Sequence, residues 1–282
     1  MLSHTSTIAT AELAFYAIGL AIAVALAMRN GWRNEPYWAI LAAFAFARIL
    51  GAAMQLGTIT APLNLHLYRG AATLAQMGLA LLLLASLGLM VAVRTSVHRR
   101  RQTLIRPYII YLQGLLLGAT FVLGIVAAAS VPDSDFAGFT TTPVPPTLVA
   151  STILSMITFL ILSFCTVCLW LDAQCFDQTA KWLLSAATAS LPFLLVRIVY
   201  SALCTFVDNM EFHWFKGCPL MLIVMSMLME FAVVVIYESV GILTARRVVL
   251  NTANASPTGA RISDISKQDD SSCSSGTPLR NG

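Results

Sequence analysis

Five ionisable side chains of this sequence lie inside long apolar stretches, where water cannot solvate a charge. They are Glu12, Arg48, Arg197, Glu230 and Glu238. An ionisable residue near the centre of a bilayer costs at least about 2.5–3.5 kcal/mol on insertion scales, so such residues usually face the protein interior and find partners there. We therefore predict a neutral buried network in which Glu230 pairs with Arg197, and Glu12 pairs with Arg48.

A carboxylic acid buried among apolar groups is suited to donate a proton. Glu12 and Glu230 are therefore the candidate catalytic residues. Gln55 lies seven residues after Arg48, and this spacing puts both on one helix face. The candidate substrate-binding residues are the neighbouring polar and aromatic side chains Arg48, Gln55, Gln76, Arg197 and Tyr200. The same network could instead serve only to fix the register of the helices, and both interpretations stay open.

The remaining polar residues predict no further site. Glu238 lies closer to the end of the last apolar stretch, where we expect it to reach the membrane interface or to meet Arg246 or Arg247. Cys165 and Cys168 have the C-x-x-C spacing, but no second pair and no histidine accompany them, so we interpret them as small buried apolar residues. We expect neither a metal nor a cofactor.

The elements that position these residues are predicted to be transmembrane helices. Hydrophobic residues make up 58% of the 282 residues and charged residues only 11%, whereas soluble domains carry about 25% charged residues. A membrane-spanning helix needs about 20 apolar residues. Seven such runs occur, at 9–28, 37–59, 69–93, 108–130, 147–171, 182–206 and 218–243. We predict an all-α polytopic bundle of seven transmembrane helices over residues 1–250, followed by a disordered cytosolic tail over 251–282.

The distribution of Lys and Arg predicts the orientation of the bundle. Thirteen of these basic residues lie in the tail and near the loops after the first, third and fifth helices, which share one side of the membrane. Only Arg69 and Lys216 lie on the other side. Basic residues concentrate on the cytosolic side, so the N-terminus is predicted outside and the C-terminus in the cytosol. The expected partners are membrane lipids and a lipid-soluble small molecule. The sequence has no basic patch of the kind that binds nucleic acid, so no nucleic-acid partner is expected. The particular membrane and the oligomeric state stay open.

Two of the predicted helices resemble each other. The second contains FAFARILGAAMQL and the sixth contains FLLVRIVYSALCT, so that Arg48 aligns with Arg197. These helices would be equivalent in a three-plus-one-plus-three duplication, an arrangement of repeats known in transporters. Chance similarity between two apolar helices explains the match equally well.

Several motifs resemble those of a fungal seven-helix membrane domain family of unassigned general function. They are RNGW after the first helix, ARILGA in the second, LLLASLGLM in the third, LPFLLVRIVYSAL in the sixth, and Glu230 followed by Gly241 in the seventh. The resemblance covers roughly residues 9–245. Some integral-membrane terpene cyclases of fungal meroterpenoid pathways look like relatives of this family. The resemblance therefore implies a role in secondary-metabolite biosynthesis, but no catalytic motif of those cyclases can be placed on particular residues here.

Three classes of function fit these features. A metal-free terpene cyclase would use Glu12 or Glu230 to protonate a prenyl or epoxyprenyl chain, with aromatic faces stabilising the cation. A seven-helix receptor or sensor fits the topology, but the third helix ends in VAVRTS and the seventh contains VIYESVG, neither of which is a receptor motif. A small-molecule or lipid transporter fits the possible repeat and the charges at mid-membrane.

Overall fold

A computed structural model describes seven segments of the chain, and every described residue is helical. The first six helices are α1 (Leu2–Asn30), α2 (Pro36–Thr60), α3 (Leu65–His98), α4 (Pro107–Ala129), α5 (Pro146–Leu171) and α6 (Gln178–Phe206). The seventh, α7, covers 227–246 and begins with a π turn at 227–228. The prediction of an all-α fold is thus confirmed for the described residues. Residues 218–226 of the predicted seventh span, and the predicted tail at 251–282, lie outside them.

Six of the helices, α1 to α6, are long and apolar enough to cross a membrane. The prediction of a multi-pass membrane protein is therefore confirmed. Three helices begin at the prolines Pro36, Pro107 and Pro146. Proline suits a first helical position because the missing amide hydrogen would have no partner within the helix there.

The chain divides into two compact units, Met1–Gly241 and Ile242–Gly282. The second unit contains the last five helical residues, 242–246. All the contacts described below belong to the first unit.

Helices α2 and α3 form a closely packed antiparallel pair. Tyr37, at the start of α2, faces Gly88 in the second half of α3, and Arg48 faces Gly78 nearer the start of α3. A side chain at Gly88 would place its Cβ only 2.6 Å from the Cβ of Tyr37 and 3.3 Å from the Tyr37 Cα. Glycine is therefore needed at this position, because small residues let the backbones of membrane helices approach each other.

Helix α3 lies at the centre of the bundle and α4 lies at its edge. About 61% of the α3 span is buried, against 22% of the α4 span. α3 contacts α2, α4 and α6, whereas α4 packs against α3 and α5. The outer face of α4 exposes large side chains such as Tyr111 and Leu115, so this face contacts membrane lipid.

The close contact at Gly88 predicts a specific loss of stability. Gly88→Ala should lower the free energy of unfolding by about 1–3 kcal/mol, the usual cost of overpacking, because the backbone of Tyr37 cannot move aside. Thermal unfolding of the purified protein in detergent measures the effect.

Gly118→Ala on α4 is the matched control, since a Cβ at Gly118 would meet no atom within 4 Å. This variant should keep or slightly raise the unfolding temperature, because alanine favours the helix. Equal unfolding temperatures for both variants would contradict the close packing of α2 on α3.

Candidate functional site

The carboxylate of Glu230, on α7, is the centre of a buried cluster of charges. Arg48 of α2 donates from Nη2 to Oε2 of Glu230, and Arg197 of α6 donates from Nε to Oε1 over 2.9 Å. Tyr16 of α1 donates its hydroxyl to Oε2 over a longer 3.5 Å. Glu230 is 1% exposed. Both of its oxygens therefore have a cationic donor, and one side chain connects four helices.

Glu12, on α1, adds a second acid to the cluster. Its Oε1 lies 3.6 Å from Nη1 of Arg48, and the residue is 4% exposed. When both acids are ionised, their charges balance those of Arg48 and Arg197, and the cluster as a whole is then neutral. Both predicted pairs, Glu12 with Arg48 and Glu230 with Arg197, are present. The additional contact between Arg48 and Glu230 merges them into one network.

The backbone of α3 closes one side of this network. A Cβ at Gly78 would lie 3.2 Å from Nε of Arg48, so the absence of a side chain at Gly78 makes room for the guanidinium group. Nε of Arg48 is buried and has no hydrogen-bond partner among the described residues. Arg48 is thus held by its two Nη atoms and by packing against α3.

Four aromatic rings pack together beside the charge cluster, which they meet at Tyr16 and Phe44. Tyr16 packs edge-to-face on Phe44 and on Phe231, with ring centroids 5.7 and 5.1 Å apart. Phe15 stacks on Phe231 with centroids 4.1 Å apart. Phe44 is fully buried, whereas Phe15 and Phe231 are half-buried. The rings therefore extend from the buried charges toward the surface between α1 and α7.

Helix directions bring these side chains together. On α1 and α2, Glu12 meets Arg48 and Tyr16 meets Phe44, so the two helices run antiparallel. On α1 and α7, Tyr16 meets Glu230 and Gly19 meets Val234, so these two run parallel. The cluster therefore forms at the depth where α1, α2, α6 and α7 contact one another.

A second polar cluster lies two helical turns farther along α7. The hydroxyl of Tyr237 lies 2.5 Å from that of Ser86 on α3 and 2.8 Å from that of Ser190 on α6. Each serine also donates to a carbonyl of its own helix. These hydroxyls are buried and satisfied. They therefore connect α3, α6 and α7 without carrying a charge.

The predicted site residues are only partly brought together. Tyr200 is buried, and its ring centroid lies 5.9 Å from the guanidinium carbon of Arg197. Gln55 is exposed. It shares a helix face with Arg48, but it lies two turns nearer the end of α2, beyond the buried part of that face. Gln76 belongs to α3, and its side chain is outside the described residues.

Glu238 differs from its expected position. It is 8% exposed, and its Oε1 has no hydrogen-bond partner among the described residues. The sequence predicted a side chain at the membrane interface, or one that meets Arg246 or Arg247, because Glu238 is close to the end of the apolar stretch. Its actual burial follows from its place on the face of α7 that packs against Gly19 of α1.

The second cluster could have been predicted from residue spacing, although not from residue type. Tyr237 is seven residues after Glu230, and Ser190 is seven residues before Arg197. Because α6 and α7 run antiparallel, a step of two turns backward along α6 and two turns forward along α7 leads from the Arg197–Glu230 contact to Ser190 and Tyr237. Phe15 and Phe231 carry no such signal, since phenylalanines in an apolar helix usually face lipid or core.

Long apolar helices around a buried, neutral cluster of charges define an integral multi-pass membrane protein. Residues 2–247 match a family model described as Domain of unknown function (DUF7702), and the chain belongs to that family. This confirms the predicted membership in a family of unassigned function. Its fungal origin and its relation to terpene cyclases stay predictions. A search of curated proteins and a search of solved structures each gave no match.

The unequal contacts of the two arginines predict unequal effects of their removal. Arg48→Met should destabilise the protein by about 3–5 kcal/mol, the usual cost of breaking a buried ion pair, because it leaves Glu12 without its cation. Arg197→Met should cost less, because Glu230 keeps Arg48. Thermal unfolding in detergent gives the ranking.

Two further variants make this ranking specific. Glu12→Gln, introduced together with Arg48→Met, should recover part of the loss, because it removes the stranded acid. Arg29→Met, at an exposed position on α1, should change stability little. A larger loss for Arg197→Met than for Arg48→Met would contradict the central place of Arg48.

Proposed function

We propose that this protein is a metal-free integral-membrane terpene cyclase, which protonates the prenyl or epoxyprenyl chain of a lipid-soluble substrate in meroterpenoid biosynthesis. The observation that carries the proposal is that the buried Glu12 lies one helical turn before Phe15 and Tyr16, whose rings form an aromatic cluster with Phe44 and Phe231. Cyclisation requires both parts, since an acid starts it and ring faces stabilise the cations that follow.

The contacts of the two acids favour different roles for them. Both oxygens of Glu230 accept from arginines, so we assign Glu230 as the anchor that orients Arg48 and Arg197. Glu12 has one ion-pair contact, at 3.6 Å, and we assign it as the proton donor. When Glu12 gives up its proton, Arg48 lies beside the carboxylate that remains.

The proposed reaction conserves protons. The proton of Glu12 moves to the epoxide oxygen, and the C–O bond breaks to leave a tertiary carbocation on the chain. Successive double bonds then attack this cation and close rings. The last cation loses a proton to a base, so that the enzyme needs no metal, oxidant or reductant. On an unoxidised chain the proton would instead add to the terminal double bond.

The half-buried rings suggest how the substrate arrives. Phe15 and Phe231 lie between the charge cluster and the surface of the bundle. A prenyl chain dissolved in the bilayer would pass between α1 and α7 and meet ring faces before it reaches Glu12. Such a chain needs no aqueous channel, because it partitions into the hydrocarbon.

Turnover by variants of Glu12 tests the proposal. Microsomes that contain the protein receive a farnesylated aromatic substrate or its terminal epoxide, and the products are separated by chromatography. Glu12→Gln and Glu12→Ala should both lower turnover about a hundred-fold or more, the usual contribution of a general acid. Glu12→Asp should retain measurable turnover, because it keeps a carboxylic proton.

Protein abundance and correct insertion are measured in the same microsomes. Tyr111→Phe, on the exposed face of α4, controls for handling and should match the wild type. Substantial turnover by an abundant Glu12→Gln variant would exclude Glu12 as the acid. If the well-expressed wild-type protein consumes neither substrate, the cyclase proposal fails.

Transport of a small molecule or lipid is the second candidate. Polar side chains of α7 face the interior at two depths, with Glu230 in the charge cluster and Tyr237 in the hydroxyl cluster. Successive polar contacts across a membrane are typical of transport paths. Uptake of a labelled prenylated compound by proteoliposomes, without its conversion, would favour this function over cyclisation.

We also propose seven spans, with the N-terminus outside and the C-terminus in the cytosol, on the basis of the asymmetric distribution of basic residues. An epitope tag fused after Gly282 should resist protease added outside intact cells and be digested once the membrane is opened. Digestion of the tag in intact cells would reverse the orientation.

A further inference from the structure

Glu238 is a buried acid that belongs to neither polar cluster. It is 8% exposed, and its Oε1 has no hydrogen-bond partner among the described residues. The facing residue on α1 is Gly19, where an added Cβ would lie 3.1 Å from this oxygen and 3.7 Å from Cγ1 of Val234. The carboxyl group therefore occupies space that α1 leaves free only because residue 19 is a glycine.

The two arginines of the charge cluster contact Glu230 rather than Glu238. Arg48 and Arg197 both contact Glu230, which lies eight residues before Glu238, or about 12 Å along the helix axis. On the α1 side, Oε1 borders the space beside Gly19, which Cγ1 of the apolar Val234 also borders. A carboxylate in such surroundings would be desolvated and unpaired, which is far more costly than burying the neutral acid.

We propose that Glu238 is a proton-binding site at the interface of α1 and α7, occupied in the resting protein and separate from the Glu12–Glu230 cluster. Its ligand is a proton, carried as the O–H of a carboxylic acid. This group can donate a hydrogen bond to a hydroxyl or carbonyl oxygen of a lipid-soluble molecule that enters between the two helices. The proposal does not depend on cyclase activity.

The chemistry of carbodiimides distinguishes this state from an ionised, water-exposed carboxylate. A protonated carboxyl in an apolar environment adds its O–H across a C=N bond of dicyclohexylcarbodiimide, and the O-acylisourea rearranges to a stable N-acylurea. No group leaves, so the peptide gains the mass of the whole reagent. A carboxylate that reaches water instead reacts with a water-soluble carbodiimide and couples to an added amine.

The full-length protein, purified in detergent at neutral pH, is treated with each reagent and mapped by peptide mass spectrometry. We expect the N-acylurea at Glu238. Glu230 serves as the internal comparison and should stay unmodified, because both of its oxygens are bound by arginines. Since the modified residue is located in the wild-type chain, the result does not depend on the folding of a variant.

Variants of the facing glycine test the geometry. Gly19→Ala should slow the labelling several-fold, because the methyl group crowds Oε1. Gly51→Ala is the matched control, since its Cβ would make only an ordinary 3.5 Å contact with Leu74, and its labelling rate should equal that of the wild type. Equal rates for all three proteins would contradict the placement of the carboxyl against Gly19.

Infrared difference spectra of the wild type and Glu238→Gln give a second, reagent-free measurement. The wild type should show one additional carbonyl band of a protonated acid, and the variant should lack it. Coupling of Glu238 to the amine, absence of the N-acylurea at this residue, or absence of the additional band would each overturn the proposal.

Discussion

The rest of the site depends on the ion pairs of Glu230. Membrane helices gain little from hydrophobic association, because lipid is as apolar as their own side chains, so packing and polar contacts decide how they associate. Here one carboxylate is bound by Arg48 of α2 and Arg197 of α6 and is also contacted by Tyr16 of α1. Each contact fixes both the rotation and the depth of a helix. The same burial that makes an unpaired charge costly makes this arrangement specific.

The hydroxyl cluster at Tyr237 repeats this constraint at a second depth. One contact between two helices still allows them to pivot, whereas two contacts separated by two turns fix the angle between them. On α7 these contacts are Glu230 and Tyr237, and on α6 they are Arg197 and Ser190. Pro192 lies between the two contacts on α6 and removes one backbone hydrogen bond of that helix. The two side-chain contacts therefore hold α6 on both sides of Pro192.

The sequence predicts the helices better than it predicts which way their side chains point. Length, composition and the prolines at 36, 107 and 146 locate the spans, because these depend on one helix and the membrane alone. The pairing of Glu12 with Arg48 was also predictable, since a buried charge must find an opposite charge. The exposure of Gln55 and the burial of Glu238 were not. The exposure of Gln55 depends on how far the neighbouring helices extend, and the burial of Glu238 depends on the space beside Gly19 of another helix. Neither can be predicted from the residues of one helix alone.

The three buried acids in the part of the chain that the structure describes differ in the number of their partners, and we base their proposed roles on this difference. Glu230 has two cations and a hydroxyl, Glu12 has one cation at 3.6 Å, and Oε1 of Glu238 has no partner among the described residues. A carboxylate with two cationic donors is held in one place, which suits an anchor. A carboxyl with one distant cation can exist with or without its proton, because the loss of that proton leaves an ion pair rather than an isolated charge. The number of cations within reach, rather than burial alone, is therefore the reason why we propose Glu12 as the proton donor.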